Sequence, residues 1–393
     1  MRTLQQSFAV QFSYGVYFTE NLFSTGNTLL TEVLQQDKST SRRKVFFVID
    51  SGVAEAHPQL AQDIKSYAQG HEQVMKLLAE PMVITGGEEV KNDTELLYQL
   101  LEAINTNGIC RHSYLIAIGG GAVLDMAGFA AAIAHRGIRH IRVPTTVLAQ
   151  DDSAVGVKNS FNSFGKKNFL GTFAPPFAVI NDSQFLLTLD DRDWRSGISE
   201  AIKVALIKDE VFYNEIKENA EKLVQRDMPA MQQLIHRCAE MHVQHIGGAD
   251  PFETGSSRPL DFGHWAAHKL EQLTNYSLRH GEAVAIGIAL DVLYSKLKGM
   301  LTAAECEDIL GLLHKLGFAL YVPELSGCDA TTGKLAVIKG LTEFREHLGG
   351  QLTIMLLTRI GKGVEVHEMD EKLLEQAIDL LKHRFQPQTL HHV

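Results

Sequence analysis

The chain has 393 residues, of which 45% are hydrophobic, and it carries a formal net charge of −10 at pH 7. This length predicts two or three domains, and the apolar fraction is ordinary for a globular protein. The acidic charge argues against nucleic acid or an anionic membrane surface as a partner, although it does not exclude a local basic pocket.

Short apolar runs alternate with helical patterns in the first half of the chain. Helical patterns cover residues 95–104 and 122–134, and a hairpin is expected near residues 13–15. The alternation predicts a mostly parallel, Rossmann-like α/β sheet. The runs typical of buried strands are 45–49, 82–84, 114–118, 141–143 and 177–180.

Helical periodicity dominates beyond about residue 190, where the only clear strand signal is at 352–357. We therefore predict an α/β domain over residues 1–190 and a mainly α-helical domain over residues 191–393. The predicted helices of the second domain are 193–208, 210–225, 228–247, 262–273, 281–299, 303–316 and 370–384.

A glycine run follows the strand predicted at 114–118. Gly119, Gly120 and Gly121 lead into a helix that contains Asp125. Glycines let the backbone approach a phosphate closely, and a helix N-terminus offers free N–H groups. The run is not the Gly-x-Gly-x-x-Gly fingerprint, so a plain strand-to-helix turn is the alternative.

Polar residues follow two other predicted strands. Glu88 comes after the strand at 82–84, and a carboxylate in that place can accept hydrogen bonds from ribose hydroxyls. Thr145 and Thr146 follow the strand at 141–143. Ligands gather at the carboxyl ends of the strands in open α/β sheets, although Glu88 alone is more typical of a solvated turn.

Residues 150–168 are predicted to form a long irregular segment with three lysines and several amides. Long structured loops tend to be functional, and lysines beside amides suit a phosphorylated ligand. The alternative is a solvated surface loop.

Two histidines, His264 and His268, are four residues apart, so both project from one face of a helix. His280 and Glu200 lie in other helical patterns. Two histidines and a carboxylate, with a position left for substrate, hold catalytic zinc in many enzymes. The chain has 17 histidines, so a chance pair is the alternative.

The four cysteines are far apart and form no Cys-x-x-Cys pair, which argues against a disulfide framework and a thiolate zinc site. The N-terminal residues lack the apolar core of a signal peptide. The longest apolar stretch, 283–290, is too short to span a bilayer. We therefore expect a cytoplasmic protein.

Together these segments resemble, in order and over about residues 80–290, the dehydroquinate synthase superfamily of sugar-phosphate cyclases. The segments that carry the resemblance are 119–125 with 128–129, 136–137, 143–150, 152–156, Lys158, 167–168, 200–203, 262–264 and 280–284.

The resemblance implies zinc, for which cobalt could substitute, held by Glu200, His264 and His280. His268 would then contact substrate and would not be a ligand. The residues implied for NAD are Asp50, Glu88, Lys91, Gly120, Gly121, Asp125, Thr145, Thr146, Lys158, Lys167, Phe185 and Thr188. Those implied for catalysis and substrate are Asp152, Lys158, Asn168, Lys203, Asp261 and His268, with Arg136 reaching a neighbouring subunit of a homodimer.

The reaction implied by the resemblance converts a heptulose phosphate, such as sedoheptulose 7-phosphate, to a carbocycle. Its steps are transient oxidation by NAD, elimination of phosphate, re-reduction and intramolecular aldol closure. Net redox is zero, so such an enzyme is formally a carbon–oxygen lyase of cyclitol biosynthesis. The alternatives are a 3-dehydroquinate synthase, a metal-dependent glycerol or alcohol dehydrogenase, and a non-catalytic NAD- or sugar-binding protein.

The chain departs from the dehydroquinate synthase pattern at four places. Asp261 stands where those enzymes have asparagine, Ser257 where they have arginine, and His242 and Val243 near an expected lysine. Residues 344–350 replace a stretch with paired lysines. Fewer cations and one more carboxylate should disfavour a substrate carboxylate. Asp261 and residues 345–350 resemble the cyclases of sedoheptulose 7-phosphate, which usually lack a histidine at position 268.

Overall fold

The computed structural model describes residues 3–164, 166–248, 251–252, 260–330, 333–347 and 350–386. The chain divides into two compact units, of which the first comprises 1–145 and 156–185 and the second 146–155 and 186–393. Residues 146–155, which the predicted boundary at 190 assigned to the first domain, group with the second unit. There the π-helix Ala149–Ser153 contacts the helices Asp191–Lys208 and Met228–Ile246.

The first unit is an α/β unit, as predicted. Its strands are β1 (Gly15–Thr19), β2 (Arg43–Asp50), β3 (Met75–Leu77), β4 (Met82–Ile84), β5 (Tyr114–Gly119), β6 (Arg139–Pro144), β7 (Lys158–Ser163), β8 (Lys166–Phe173) and β9 (Ala178–Asp182). Its helices are α1 (Leu29–Gln35), α2 (Ser51–Ala56), α3 (Leu60–Gly70), α4 (Thr94–Thr106) and α5 (Gly121–Ile133).

A seven-stranded parallel sheet is the centre of the first unit, with strand order β1-β9-β6-β5-β2-β3 and with β4 also paired to β2. All six residues of β5 are buried. A strand covered on both faces is apolar throughout, which is why a continuous apolar run predicted it. The buried residues of β2, β5, β6 and β9 pack with those of α1 and α3 in one core.

The prediction of a hairpin near residues 13–15 was wrong. Residues 15–19 instead form β1, which pairs in parallel with β9, Gly15 facing Ala178 and Thr19 facing Asp182. The partner of β1 lies about 160 residues away, so no local pattern could reveal the pairing.

The prediction of an irregular segment at residues 150–168 was also wrong. It contains the π-helix Ala149–Ser153 and the antiparallel pair of β7 and β8. The buried side chains of β7 include Asn159, Ser160 and Asn162, so the strand lacks the apolar alternation that marks a half-buried strand. Hydrogen bonds replace apolar packing there, since Asn159 Oδ1 accepts from Arg142 at 2.8 Å.

The second unit is mainly helical, as predicted, and carries one two-stranded sheet. Its helices are α6 (Asp191–Lys208), α7 (Glu210–Glu218), α8 (Ala220–Val224), α9 (Met228–Ile246), α10 (His264–Leu273), α11 (His280–Leu297), α12 (Ala303–Lys315), α13 (Lys339–His347) and α14 (Glu371–Phe385). Its strands are β10 (Ile354–Arg359), close to the predicted one, and β11 (Lys362–Val366), which was not predicted.

Two helices form the interior of the second unit. Buried residues cover every side of α6 from Ser196 to Ile207 and of α11 from Ala283 to Ser295. A helix that is apolar all round is buried on all sides. The described part of the chain contains no helix with the length and apolarity needed to cross a membrane.

Candidate functional site

Three helices of the second unit bring Glu200, His264 and His280 together. Glu200 Oε1 lies 3.6 Å from Nε2 of His264 and 3.4 Å from Nε2 of His280. Each side chain offers one ligand atom, and these atoms lie within 4.8 Å of one another. A buried carboxylate and two imidazoles form a donor set that fits a catalytic zinc and leaves a position for substrate.

Glycines set the separation of the helices that carry these ligands. The Gly281 N–H donates to Ser196 Oγ at 3.2 Å, and a Cβ on Gly281 would overlap the backbone oxygen of Ser196 on α6. A Cβ on Gly287 would likewise overlap the backbone oxygen of Gly263, whose φ of +77° favours glycine. The two histidine ligands begin α10 and α11, so these contacts determine where they lie.

Burial and neighbouring charges leave Glu200 and His264 in the protonation states that bind metal. Burial by itself would raise the pKa of Glu200, but Lys203 and His280 lower that pKa below its ordinary range. Burial lowers the pKa of His264 well below its usual value, and Lys203 lowers it further. Metal ligands must be deprotonated, and the lowered pKa values mean that Glu200 and His264 already lack the proton near neutral pH.

A chain of polar contacts extends from Glu200 on the side away from the histidines. Lys203 contacts Glu200, and its Nζ lies 3.6 Å from Asp152 Oδ2. His242 Nδ1 lies 3.3 Å from the other oxygen of Asp152. Burial would lower the pKa of Lys203, but Glu200, Asp152 and Asp261 raise it, so the lysine stays charged. The structure thus brings Asp152 and Asp261 close to Lys203, and the catalytic roles of these residues stay predictions.

His268 lies one helical turn after His264 on α10, beside the trio. Its ring centroid is 5.5 Å from that of His264 and 5.8 Å from that of His280. This position is compatible with the predicted contact to substrate.

Two buried acids near the trio were not predicted. Glu271 Oε2 lies 3.2 Å from Nδ1 of His280. Asp291 accepts hydrogen bonds from Trp265 Nε1 at 2.9 Å and from the Gly263 N–H at 3.1 Å. Glu271 follows His264 by seven residues, a spacing of two helical turns that could have revealed it.

In the first unit, a lysine joins several of the residues implied for cofactor and substrate. Lys91 Nζ lies 2.8 Å from Asp125 Oδ2 and 2.5 Å from Asn168 Oδ1. The Ser160 hydroxyl donates to the same two oxygens, at 2.8 and 2.9 Å. Glu88 Oε1 lies 3.8 Å from Lys91 Nζ.

Lys167 Nζ is also 3.8 Å from Glu88 Oε1. Neither Ser160 nor this arrangement of β7 and β8 was foreseen, because polar side chains hide the two strands and because Asp125 lies 35 residues from Ser160 in the chain.

The glycine turn after β5 leads directly from the strand into α5. β5 ends at Gly119 and α5 begins at Gly121, and within the described residues no side chain caps the N-terminus of α5. Asp50, at the end of β2, lies beside the turn: a Cβ on Gly119 would be 3.0 Å from the Cβ of Asp50. Burial raises the pKa of Asp50, although the Gly120 N–H partly offsets this.

The other residues implied for cofactor lie in both units. Thr145 is buried, and its N–H donates to the Gly119 oxygen at 3.0 Å in the first unit. Phe185, in the same unit, has its ring centroid 5.2 Å from that of His57. In the second unit, Thr146 Oγ1 accepts from the Ala149 N–H at 3.2 Å, and Thr188 ends a short 3-10 helix.

Two of the cations implied for the site, Lys158 and Arg136, are exposed. Some of the residues that depart from the dehydroquinate synthase pattern lie outside the described residues. Lys158 begins β7, and Arg136 has a left-handed backbone with φ of +61°. Ser257 and Arg258 lie outside the described residues, as do Leu348 and Gly349.

Two models of known protein families match the chain. The family model for the N-terminal part of 3-dehydroquinate synthase matches residues 81–196, and that for its C-terminal part matches residues 197–335. The chain belongs to the dehydroquinate synthase superfamily. The resemblance stated from the sequence is therefore confirmed, and with it the fold class.

Members of this superfamily with different products are about equally similar to the chain. A 3-dehydroquinate synthase from Nitrosococcus oceani is 36% identical over 76% of this chain and 81% of its own length. A 2-epi-valiolone synthase from Actinosynnema mirum is 29% identical over 94% of this chain and 92% of its own. Both relatives are sugar-phosphate cyclases.

A solved structure from the superfamily covers almost the whole chain. ValA, the 2-epi-5-epi-valiolone synthase of Streptomyces hygroscopicus subsp. jinggangensis, has NAD+ and Zn2+ bound. It matches with a TM-score of 0.84 and 28% identity, over 97% of this chain and 100% of its own.

Proposed function

We propose that this sugar-phosphate cyclase is a carbon–oxygen lyase that requires NAD and a divalent transition metal, zinc with cobalt as a substitute. The observation that carries the proposal is the trio of Glu200, His264 and His280, whose ligand atoms lie within 4.8 Å of one another. NAD+ and Zn2+ in ValA support the same pair of cofactors here. A metal in the trio would polarise a substrate oxygen, and NAD would supply a hydride acceptor and donor.

The residues of the second unit would hold the substrate around the trio. Lys203 is kept charged by its carboxylate neighbours, so its ammonium can donate hydrogen bonds to substrate oxygens throughout the reaction. Asp152 orients Lys203 from one side and can accept from a substrate hydroxyl. His268 offers a further ring nitrogen for the substrate phosphate, which leaves more easily when donors hold it.

The residues of the first unit would hold NAD. The uncapped N-terminus of α5, preceded by Gly120, offers N–H groups to the pyrophosphate. Glu88 would accept from ribose hydroxyls, as acids do in other dinucleotide-binding folds. The buried Lys91 forms an ion pair with the partly exposed Asp125, which would fix the wall of this site.

We propose a substrate without a carboxylate, of the sedoheptulose 7-phosphate type. Three carboxylates, Glu200, Asp152 and Asp261, act on the single ammonium of Lys203. His242 is buried, and burial lowers its pKa, so it adds no positive charge near neutral pH. Among the described residues around the trio, a substrate carboxylate would meet a lysine whose charge these three carboxylates already offset, so it would lose its hydration at a cost. The alternative is a 3-dehydroquinate synthase acting on the seven-carbon keto-acid phosphate of the shikimate pathway.

Phosphate release from each substrate separates the two activities. We expect sedoheptulose 7-phosphate to turn over faster than the keto-acid phosphate, without net accumulation of reduced nicotinamide. The matched variant is Asp261→Asn, which removes one carboxylate and should shift the ratio of rates towards the keto acid. Faster turnover of the keto acid by the wild-type enzyme would refute the substrate assignment, and accumulation of reduced nicotinamide would indicate a dehydrogenase.

We also propose that the enzyme is a homodimer in which Arg136 acts on the partner's substrate. Arg136 is exposed, and its left-handed backbone holds it in a turn after α5. Mixing Arg136→Ala with Glu200→Gln would create hybrid dimers with one complete site. Partial recovery of activity, together with a dimer mass in solution, is expected. A monomeric mass in solution, or no recovery of activity from confirmed hybrid dimers, would refute the proposed role of Arg136.

A further inference from the structure

One face of α10 carries a third ionisable group besides His264 and His268. Glu271 follows them on the same face and is buried, with 3% of its surface exposed. Its Oε2 lies 3.2 Å from Nδ1 of His280, the first residue of α11. Both atoms are removed from solvent. A buried carboxylate is costly unless a donor or a charge faces it, and Nδ1 of His280 is the nitrogen that faces this carboxylate.

The two nitrogens of His280 face two different carboxylates. Nε2 lies 3.4 Å from Glu200 Oε1, on the side of the proposed metal ligands, and Nδ1 faces Glu271. A neutral imidazole carries one proton, so a proton held on Nδ1 by Glu271 leaves the lone pair of Nε2 directed towards Glu200 and His264. With the proton on Nε2 instead, His280 could not bind a metal from that side.

We propose that Glu271 is a positioning residue, which fixes the tautomer and ring orientation of His280 for metal binding. The inference rests on the proposed function, because it assumes a metal held by Glu200, His264 and His280. Carboxylates behind metal-binding histidines raise ligand basicity as well as orient the ring. Since Glu271 and His264 lie on one helix, α10 supplies a ligand and the group that orients another.

Metal affinity, measured without substrate, tests the proposal. Apoprotein of the wild type, Glu271→Gln and Glu271→Ala would be titrated with zinc in competition with a chromophoric chelator, and with cobalt followed by its visible spectrum. We expect Glu271→Gln, whose amide oxygen can still accept from Nδ1, to bind zinc about tenfold more weakly. We expect Glu271→Ala to bind it about a hundredfold more weakly. The cobalt spectrum should keep the intensity of the wild type, since the ligands are unchanged.

Glu343→Gln is the matched control. Glu343 Oε1 lies 2.5 Å from Nζ of Lys269 on the same helix, at an exposed position. This variant also removes an acid that contacts α10, and its zinc affinity should equal that of the wild type.

Three results would separate the possible failures. Unchanged zinc affinity in both Glu271 variants would overturn the positioning role and leave the proposed function intact. A wild-type protein that binds two ions, of which Glu271→Ala loses only one, would also overturn it. In that case Glu271, His268 and His280, whose ligand atoms lie within 4.8 Å of one another, would hold an ion of their own. A wild-type protein that binds no zinc would refute the proposed function itself.

Discussion

Asp37 offers a direct test of electrostatics in the first unit. Its Oδ1 accepts hydrogen bonds from Arg43 Nη2 at 2.6 Å and from the Ser39 N–H at 2.9 Å. Its Oδ2 accepts from Arg139 Nη1 at 2.7 Å and from the Tyr114 hydroxyl at 2.9 Å. Burial by itself would raise the pKa of Asp37, but these partners lower it from 3.8 to about 2. The change from Asp37 to asparagine should therefore be strongly destabilising.

The size of the effect follows from the difference between the two pKa values. At about 1.4 kcal/mol per pKa unit, the ionised carboxylate contributes roughly 2.5 kcal/mol to the free energy of unfolding. Because the folded pKa is the lower one, this contribution is complete above the unfolded value and is lost as the pH falls towards 2. We expect Asp37→Asn to lose at least roughly 2.5 kcal/mol at neutral pH, and about 1 kcal/mol less than that near pH 3.

Urea unfolding of wild type and variant at the two pH values measures this difference. Asp63→Asn, at an exposed position on α3, is the control and should change stability by less than about 0.5 kcal/mol. A loss that is the same at both pH values would refute the reasoning, because it would mean that the charge of Asp37 contributes nothing.

Three further predictions concern the two sites. Gly281→Ala places a Cβ against the Ser196 oxygen, so α11 must move away from α6. We expect zinc affinity, measured by competition with a chelator, to fall by about tenfold or more. Unchanged zinc affinity would contradict the proposed ligand set. Burial raises the pKa of Asp291 to about 7, so its contribution to stability is lost as the pH rises through 7. Between about pH 5 and pH 8, urea unfolding should show that the free energy of unfolding falls by roughly 2–3 kcal/mol more in the wild type than in Asp291→Asn. An equal fall in both proteins would argue against a raised pKa of Asp291. Lys91→Met removes the cation that faces Asp125. We expect calorimetry to show that the variant binds NAD about tenfold more weakly than the wild type. Equal NAD affinity would exclude Lys91 from the proposed NAD site.

The proposed metal ligands could be named from the sequence because the superfamily motifs are local. Glu200 and Lys203 lie within one helical turn, and His264 and His280 each begin a helix whose first residues carry a recognisable pattern. From spacing alone, His268 was as good a candidate ligand as His264, since both project from the same face. The resemblance to the superfamily resolved this, and the structure places His268 beside the trio.

Other contacts around the sites could not be predicted, because they depend on distant parts of the chain. The pairing of β1 with the distant β9 was mistaken for a local hairpin, and the local pairing of β7 with β8 was mistaken for an irregular segment. Polar side chains in β7 hid the strand, since its buried groups are satisfied by hydrogen bonds and not by apolar packing.

The amino-acid sequence by itself determined the two types of structural unit, the superfamily and the identity of the proposed ligands, because periodicity and motifs are properties of neighbouring residues. Only the tertiary structure decided how the ligands meet and which groups lie behind them. Close backbone contact at Gly281 and Gly287 sets the helix separations, and Glu271 gains its partner His280 only when α10 and α11 pack. Such contacts depend on distances of a few ångströms between residues far apart in the chain, which no local pattern encodes.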